Sequence, residues 1–211
     1  MTDRIGAIND ALYAPLRRVY GEQQPMHWGT LVRWADGGPN PHDAVSAYWS
    51  EVGPHWHYVS WGLSELSDKV TPNPHVSGWG FELTFRLAAT LSERSPGAHP
   101  AAAAPRWPLS LLDDLAKVVF DRQVEFFHGQ SIGFGRPWDP AGRLTAALFV
   151  DDPQLGTIDT LNGRVRYLQV AGLVDRSELE RLRSDEHHPQ TMAALAGPEG
   201  LYVTRTDRSP V

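Results

Sequence analysis

The 211-residue chain contains no cysteine. That absence excludes disulfides, thiolate nucleophiles and cysteine-ligated zinc or iron–sulfur centres. Long apolar runs are also missing. No stretch approaches the roughly 20 residues needed to cross a bilayer, and Met1-Thr2-Asp3-Arg4-Ile5-Gly6 opens no signal-peptide core. The expected address is the cytoplasm. Basic charge is scarce: 19 Lys and Arg stand against 25 Asp and Glu, a formal net charge of −6. A nucleic-acid binder needs a basic face to neutralise phosphates, and a membrane-surface binder needs one for anionic lipid. Neither partner is expected. The Gly-x-x-x-x-Gly-Lys-Ser/Thr phosphate loop does not occur. No residue set specifies a reaction, and no catalytic residue, metal or other cofactor is assigned.

Aromatic residues are plentiful: eight Trp, six Tyr and seven Phe. Such rings suit cores and interfaces alike. The length fits one domain spanning 1–211 with a sizeable core.

Periodicity places the elements. Ile5, Ile8, Leu12, Leu16 and Val19 recur at helical spacing, with Pro15 inside the run as a kink or a later start. Thr30 to Trp34 and His55 to Gly62 read as strands. Gly78 to Leu87 alternates strictly. Trp79, Phe81, Leu83, Phe85 and Leu87 share one face, and Gly80, Glu82, Thr84 and Arg86 the other, which predicts a strand with one buried face. Residues 90–105 read as an exposed loop. Trp107-Pro108 opens a helix with Leu112, Leu115, Ala116 and Val119 as its stripe, extended toward Phe126 and Phe127. Thr145 to Val150 and Arg164 to Val174 are two further strands, with a turn at Asn162-Gly163. Ser177-x-x-Glu180 reads as a capping box before a helical region broken near Pro189 and stopped at Gly197, and Leu201 to Arg205 as a last strand. The order implies an α/β (α+β) fold, a mixed β-sheet covered by helices.

Two groups of polar residues carry alternatives. His55 and His57 point the same way from a strand and could bind a metal, but Trp56, Tyr58 and Trp61 around them suit aromatic packing equally. Asp151-Asp152-Pro153 ends a strand, where carboxylates serve as acids, ligands or partner contacts, or cap a turn. Gly78-Trp79-Gly80 reads as a bulge or a tight backbone approach.

Several segments in order resemble the suppressor of fused family. They are Gly37-Gly38-Pro39-Asn40-Pro41-His42-Asp43-Ala44-Val45-Ser46, then HWHYVSWGLSEL from His55 to Leu66, then SGWGFELTFRL from Ser77 to Leu87. Weaker echoes are Trp107-Pro108, Leu115 to Phe120, Asp151 to Gln154 and Tyr167 to Gly172, so the resemblance runs from about Tyr20 to Arg208. It implies an α/β fold like the family's N-terminal lobe and a non-enzymatic role in binding another protein. In the animal member, a peptide adds as a strand between two lobes. The resemblance places peptide contacts at Val118, where the animal protein has Tyr, near Gln130, where it has Asp, and at Asp151, with Asp152 beside it. Short bacterial members resemble immunity proteins that neutralise toxins by binding them. An acidic inhibitor would be steered to a basic toxin. The expected function is therefore a partner-binding, immunity-type module. The rivals are a metal-dependent enzyme built on His55 and His57, and a regulatory or scaffolding protein.

Overall fold

The computed structural model of the chain describes residues 3–32, 34, 37–89 and 104–211. Their elements run α1 (Arg4–Tyr20), β1 (Met26–Gly29), β2 (Ala44–Ser50), β3 (His55–Trp61), β4 (Val76–Ala88), α2 (Trp107–Arg122), β5 (Ser131–Gly133), β6 (Ala146–Asp151), β7 (Thr157–Thr160), β8 (Gly163–Leu173), α3 (Arg176–Leu182) and α4 (His188–Ala196). The strands form one mixed sheet of order β1-β2-β3-β4-β8-β6-β5, with β7 paired to β8. The β4–β8 pair is parallel, and the other pairs are antiparallel. This is the α+β architecture that the element order implied, a mixed sheet covered by helices.

One face of the sheet packs on α2. Phe81, Leu83 and Phe85 of β4, Trp56 and Tyr58 of β3 and Phe149 of β6 meet Leu112, Leu115 and Val119 there. The opposite face carries two apolar clusters. Ile8, Leu12 and Leu16 of α1 bury Tyr48, Val59, Trp61 and Tyr167. Leu179 and Leu182 of α3 and Leu195 of α4 bury Leu148, Val150 and Leu173. Helix α1 runs straight through Pro15, which is itself buried. Packing of its stripe outweighs the backbone bond that proline forfeits.

Several expectations are corrected. Of the strand expected at Thr30 to Trp34, Arg33 lies outside the described residues and the other four are not in a strand: the edge strand is β1, four residues earlier, and Leu31 is fully exposed. The polar face of β4 is as buried as its apolar face, since Glu82, Thr84 and Arg86 have no exposed surface. Helix α2 stops at Arg122 because Gln123 adopts a left-handed cap. Phe126 then packs into the core from a loop, and Phe127 stays exposed. The cap of α3 is Asp175, which accepts from the Ser177 amide, and Glu180 pairs with Arg176 instead. Leu201 to Arg205 supplies a single parallel bridge, Leu87 to Thr204. Of the expected loop at 90–105, residues 90–103 lie outside the described residues. Ala104 is buried, and the Pro105 carbonyl accepts from the Tyr58 hydroxyl. The Gly78-Trp79-Gly80 reading holds: the β4–β8 register shifts between Val76 and Phe81, and both glycines have positive φ.

Candidate functional site

Two places concentrate polar or accessible chemistry. The first is a buried network at the centre of the sheet, between the cluster under α1 and the one under α3 and α4. Asp152 anchors it. Its Oδ2 accepts from Arg86 Nη1 at 2.8 Å, Thr84 Oγ1 at 2.8 Å and His57 Nε2 at 3.0 Å. Its Oδ1 accepts from Arg86 Nη2 and from the amides of Gln154 and Leu155, each at 3.0 Å. Asp152 therefore caps a turn and also pairs with a buried cation. Arg86 donates further to Gln169 Oε1 and Gln154 Oε1. Gln169 Nε2 in turn donates to the carbonyls of Leu201 and Tyr202, tying in the C-terminal segment.

The electrostatics follow from burial. Desolvation raises the Asp152 carboxyl, but the Arg86 guanidinium and the bonds around it overcome that and hold it well below the usual range. Burial, aided by Arg86, pushes His57 down to about 4, against the pull of Asp152. The ring is thus neutral near pH 7. Its Nε2–H donates to Asp152, and its Nδ1 accepts from the Tyr20 hydroxyl at 2.8 Å. His55 is likewise pushed down to about 4, mainly by burial, with its Nδ1 against the Gly53 carbonyl. Both nitrogens of His57 are thereby committed. The described residues contain no group of three His, Cys, Asp or Glu that could hold a metal. The side chains of Arg86, Asp152 and His57 present no surface to solvent, so they tie strands together inside the fold.

A second buried carboxylate behaves differently. Glu82 accepts from the Ser60 hydroxyl, the Gly62 amide, and the amide and hydroxyl of Ser64. Burial nevertheless raises its pKa above the ordinary glutamate value. Glu82 and Arg86 do not pair. Each closes a separate polar network from the same face of β4.

The second place is the β5 edge. Phe149 N–H donates to the Gln130 carbonyl, and Phe134 N–H donates to that of Thr145. The alternation of an antiparallel ladder then turns the backbone groups of Ser131 and Gly133 away from β6. Among the described residues no strand pairs with that side. Beside it, a groove of about 770 Å³ runs between α2 and β5. Val118 and Gln130 both line it, together with Phe126, Ile132 and Trp138. Two residues 12 apart in the chain are thus brought to one surface. The Gln130 side chain braces the loop by accepting from the Phe127 amide at 3.2 Å. Asp151 stands at the end of β6, half-exposed, where its amide donates to His128 Nδ1 and its carboxylate lies 3.6 Å from Arg166 Nε. Asp152, next in sequence, presents no side-chain surface at all.

Sequence reasoning missed β1, β2, β5 and β7, the polar interior and the arginines around the groove; the glycines at 129, 133 and 135 read as a plain loop where β5 forms. Only the polar half of the β4 alternation signalled the interior.

A family model described as "Suppressor of fused protein (SUFU)" matches residues 38–208. The chain belongs to the suppressor of fused family. The Suppressor of fused homologs of Homo sapiens and Mus musculus are each 35% identical to it across 77% of this chain. The chain spans about a third of the length of these curated relatives, 35% of each. Among solved structures, one titled as the Sufu–Fu complex superposes with a TM-score of 0.84 at 31% identity, covering 96% of this chain and 91% of that one. Drosophila Suppressor of Fused gives 0.79 at 33% identity, covering 96% of this chain and 50% of its own. A putative homolog from Neisseria gonorrhoeae gives 0.60 at 17% identity, with 96% of both chains covered, which is a likeness of fold. The family is one of protein-binding domains. No helix among the described residues is long and apolar enough to cross a membrane.

Proposed function

We propose that this chain works as one non-enzymatic domain that binds another protein by accepting an extended segment on the β5 edge. The observation that carries the reading is the open edge of β5 beside the groove that Val118 and Gln130 share. Added strands gain affinity from main-chain bonds and specificity from alternate side-chain pockets. Ser131 and Gly133 offer the first, and the apolar groove offers the second. Asp151 borders the same end of the sheet and is a further contact, whereas buried Asp152 holds up the strand end from beneath. A suppressor of fused relative has been solved in a complex titled Sufu–Fu, which supports binding to a protein.

The finer form of the reading is an immunity-type role in the cytoplasm, neutralising a toxin by occupying it. The net charge of −6 supports a partner that is basic overall. A regulatory or scaffolding role would use the same edge. The experiment is affinity capture from the native cell, comparing the chain with its Ser131→Pro variant. Proline on an outward-facing edge position removes a donor without breaking the ladder. A near-stoichiometric protein that is lost with the variant supports edge binding. A partner retained equally by both places the interface elsewhere.

A further inference from the structure

The sign of charge around the groove opposes that of the whole chain. Among the described residues its lining holds three arginines, Arg122, Arg136 and Arg183, and no carboxylate. They come from three elements: the last turn of α2, the loop after β5, and the end of α3. All three are exposed. Arg136 Nη2 lies 3.2 Å from Asp114 Oδ2. Arg122 and Arg183 have no ion-pair partner among the described residues. The nearby acids Asp121 and Glu125 are exposed but do not line the groove. Apart from Gln130 and Ser131, the side chains between the arginines are apolar, and Val124 is 40% exposed on the same rim.

We infer that the segment received at β5 is acidic as well as apolar, with hydrophobic side chains filling the groove and flanking carboxylates meeting Arg122, Arg136 and Arg183. This inference rests on the edge-binding reading and names the chemistry of its ligand. Guanidinium forks match carboxylates in two-point geometry and stay charged at every physiological pH. An added strand sends alternate side chains outward, so acids placed beyond the apolar pair reach arginines on both sides. A basic segment would instead meet like charge on three elements. A partner that is basic overall can still present such a segment, since steering acts on the whole molecule and docking on the local patch.

The test uses random peptides displayed on phage, selected against the intact chain, with the recovered pool sequenced. The expected pool is richer in Asp and Glu than the input library. It binds Arg122→Gln/Arg183→Gln about tenfold more weakly and is lost on Ser131→Pro. Thermal melts of both variants confirm the fold. A neutral or basic pool that is still lost on Ser131→Pro overturns the acidic ligand and leaves edge binding standing. An acidic pool indifferent to the arginine variant overturns the arginine assignment. A pool indifferent to Ser131→Pro, or no enrichment at all, overturns edge binding and this inference with it.

Discussion

Arg86 and Asp152 form a two-point ion pair, at 2.8 and 3.0 Å, with neither side chain exposed to solvent. They come from β4 and from the residue just after β6, strands that β8 separates in the sheet. The pair therefore ties together elements that the backbone ladder does not join directly. Removing one partner of such a pair leaves an uncompensated buried charge. Asp152→Ala is expected to cost about 3–5 kcal/mol of folding stability. Arg86→Met should cost a similar amount, because Asp152 would lose its main cation. Urea titration of each variant checks this. A loss under about 1 kcal/mol would show that the pair is no anchor.

The same network sets a pH dependence. Asp152 has a depressed carboxyl, so its contribution is complete above the unfolded aspartate value and is lost only as pH falls through the lower folded value. His55 and His57 are pushed from 6.5 to about 4. The folded state keeps these rings neutral while the unfolded chain protonates them. Stability should thus decline as pH falls from about 6.5 toward about 4, by up to about 1.4 kcal/mol per pH unit for each extra proton the unfolded chain binds. Asp152's share is lost lower still. Denaturation midpoints taken from about pH 7 to about pH 4.5 measure the slope. His57→Gln keeps a donor for Asp152 and removes one titration, so its slope should be shallower. An identical slope would place the pH sensitivity elsewhere.

Glu82 faces donors on every side. Glu82→Gln would aim an amide NH2 at the Gly62 and Ser64 amides or at the serine hydroxyls, leaving buried donors unpaired. The expected cost is about 1–3 kcal/mol in thermal or urea unfolding. Glu82 is also raised by burial. Its ionisation therefore opposes folding above its folded pKa, and the variant should lose less at high pH than at mildly acidic pH. A cost that grows with pH would contradict that sign.

Gly78 tests the backbone. Its φ is +57°, and a Cβ there would lie 2.4 Å from the Leu63 carbonyl oxygen and 3.1 Å from Ser64 Cα. Both are backbone atoms that cannot swing aside. Gly78→Ala should lose more than about 2 kcal/mol, from the strained φ and the clash together. Gly129 also has positive φ but has open space around it. Gly129→Ala should lose only about 1 kcal/mol. Equal losses in a paired thermal melt would mean that the close approach to Leu63 adds nothing.

How far the sequence could be read follows from the range of each force. Local periodicity revealed α1, β3, β4, α2, β6 and β8, because burial on one face writes itself into nearby residues. Strand β2 escaped: Ala44-Val45-Ser46-Ala47-Tyr48-Trp49 is buried on both faces and shows no alternation. Thr30 to Trp34 misled for the converse reason: Leu31, Val32 and Trp34 are apolar yet exposed. Arg86 looked like a solvent-facing residue because nothing local announces a partner 66 residues away. The groove was half legible. The resemblance located Val118 and Gln130, while the arginines around them gather only when α2, β5 and α3 converge.

Asp151 and Asp152 make the sharpest contrast, since adjacent carboxylates face opposite environments. Asp151 is half-exposed at the surface, and the side chains beside it, His128 and Arg166, are themselves partly exposed. Ion pairs of that kind contribute about 0–1 kcal/mol. Asp151→Lys should therefore fold like the parent chain, and if the edge of β5 and the end of β6 form one binding surface, it should weaken partner affinity. Asp152→Lys would bury a second cation against Arg86 and remove six accepted hydrogen bonds. It should fail to accumulate as folded protein. Circular dichroism melts of the two single variants, followed by a binding titration of Asp151→Lys with a captured partner, separate the roles. Unchanged affinity would remove Asp151 from the interface, and a folded Asp152→Lys would mean that the network can reorganise around a reversed charge.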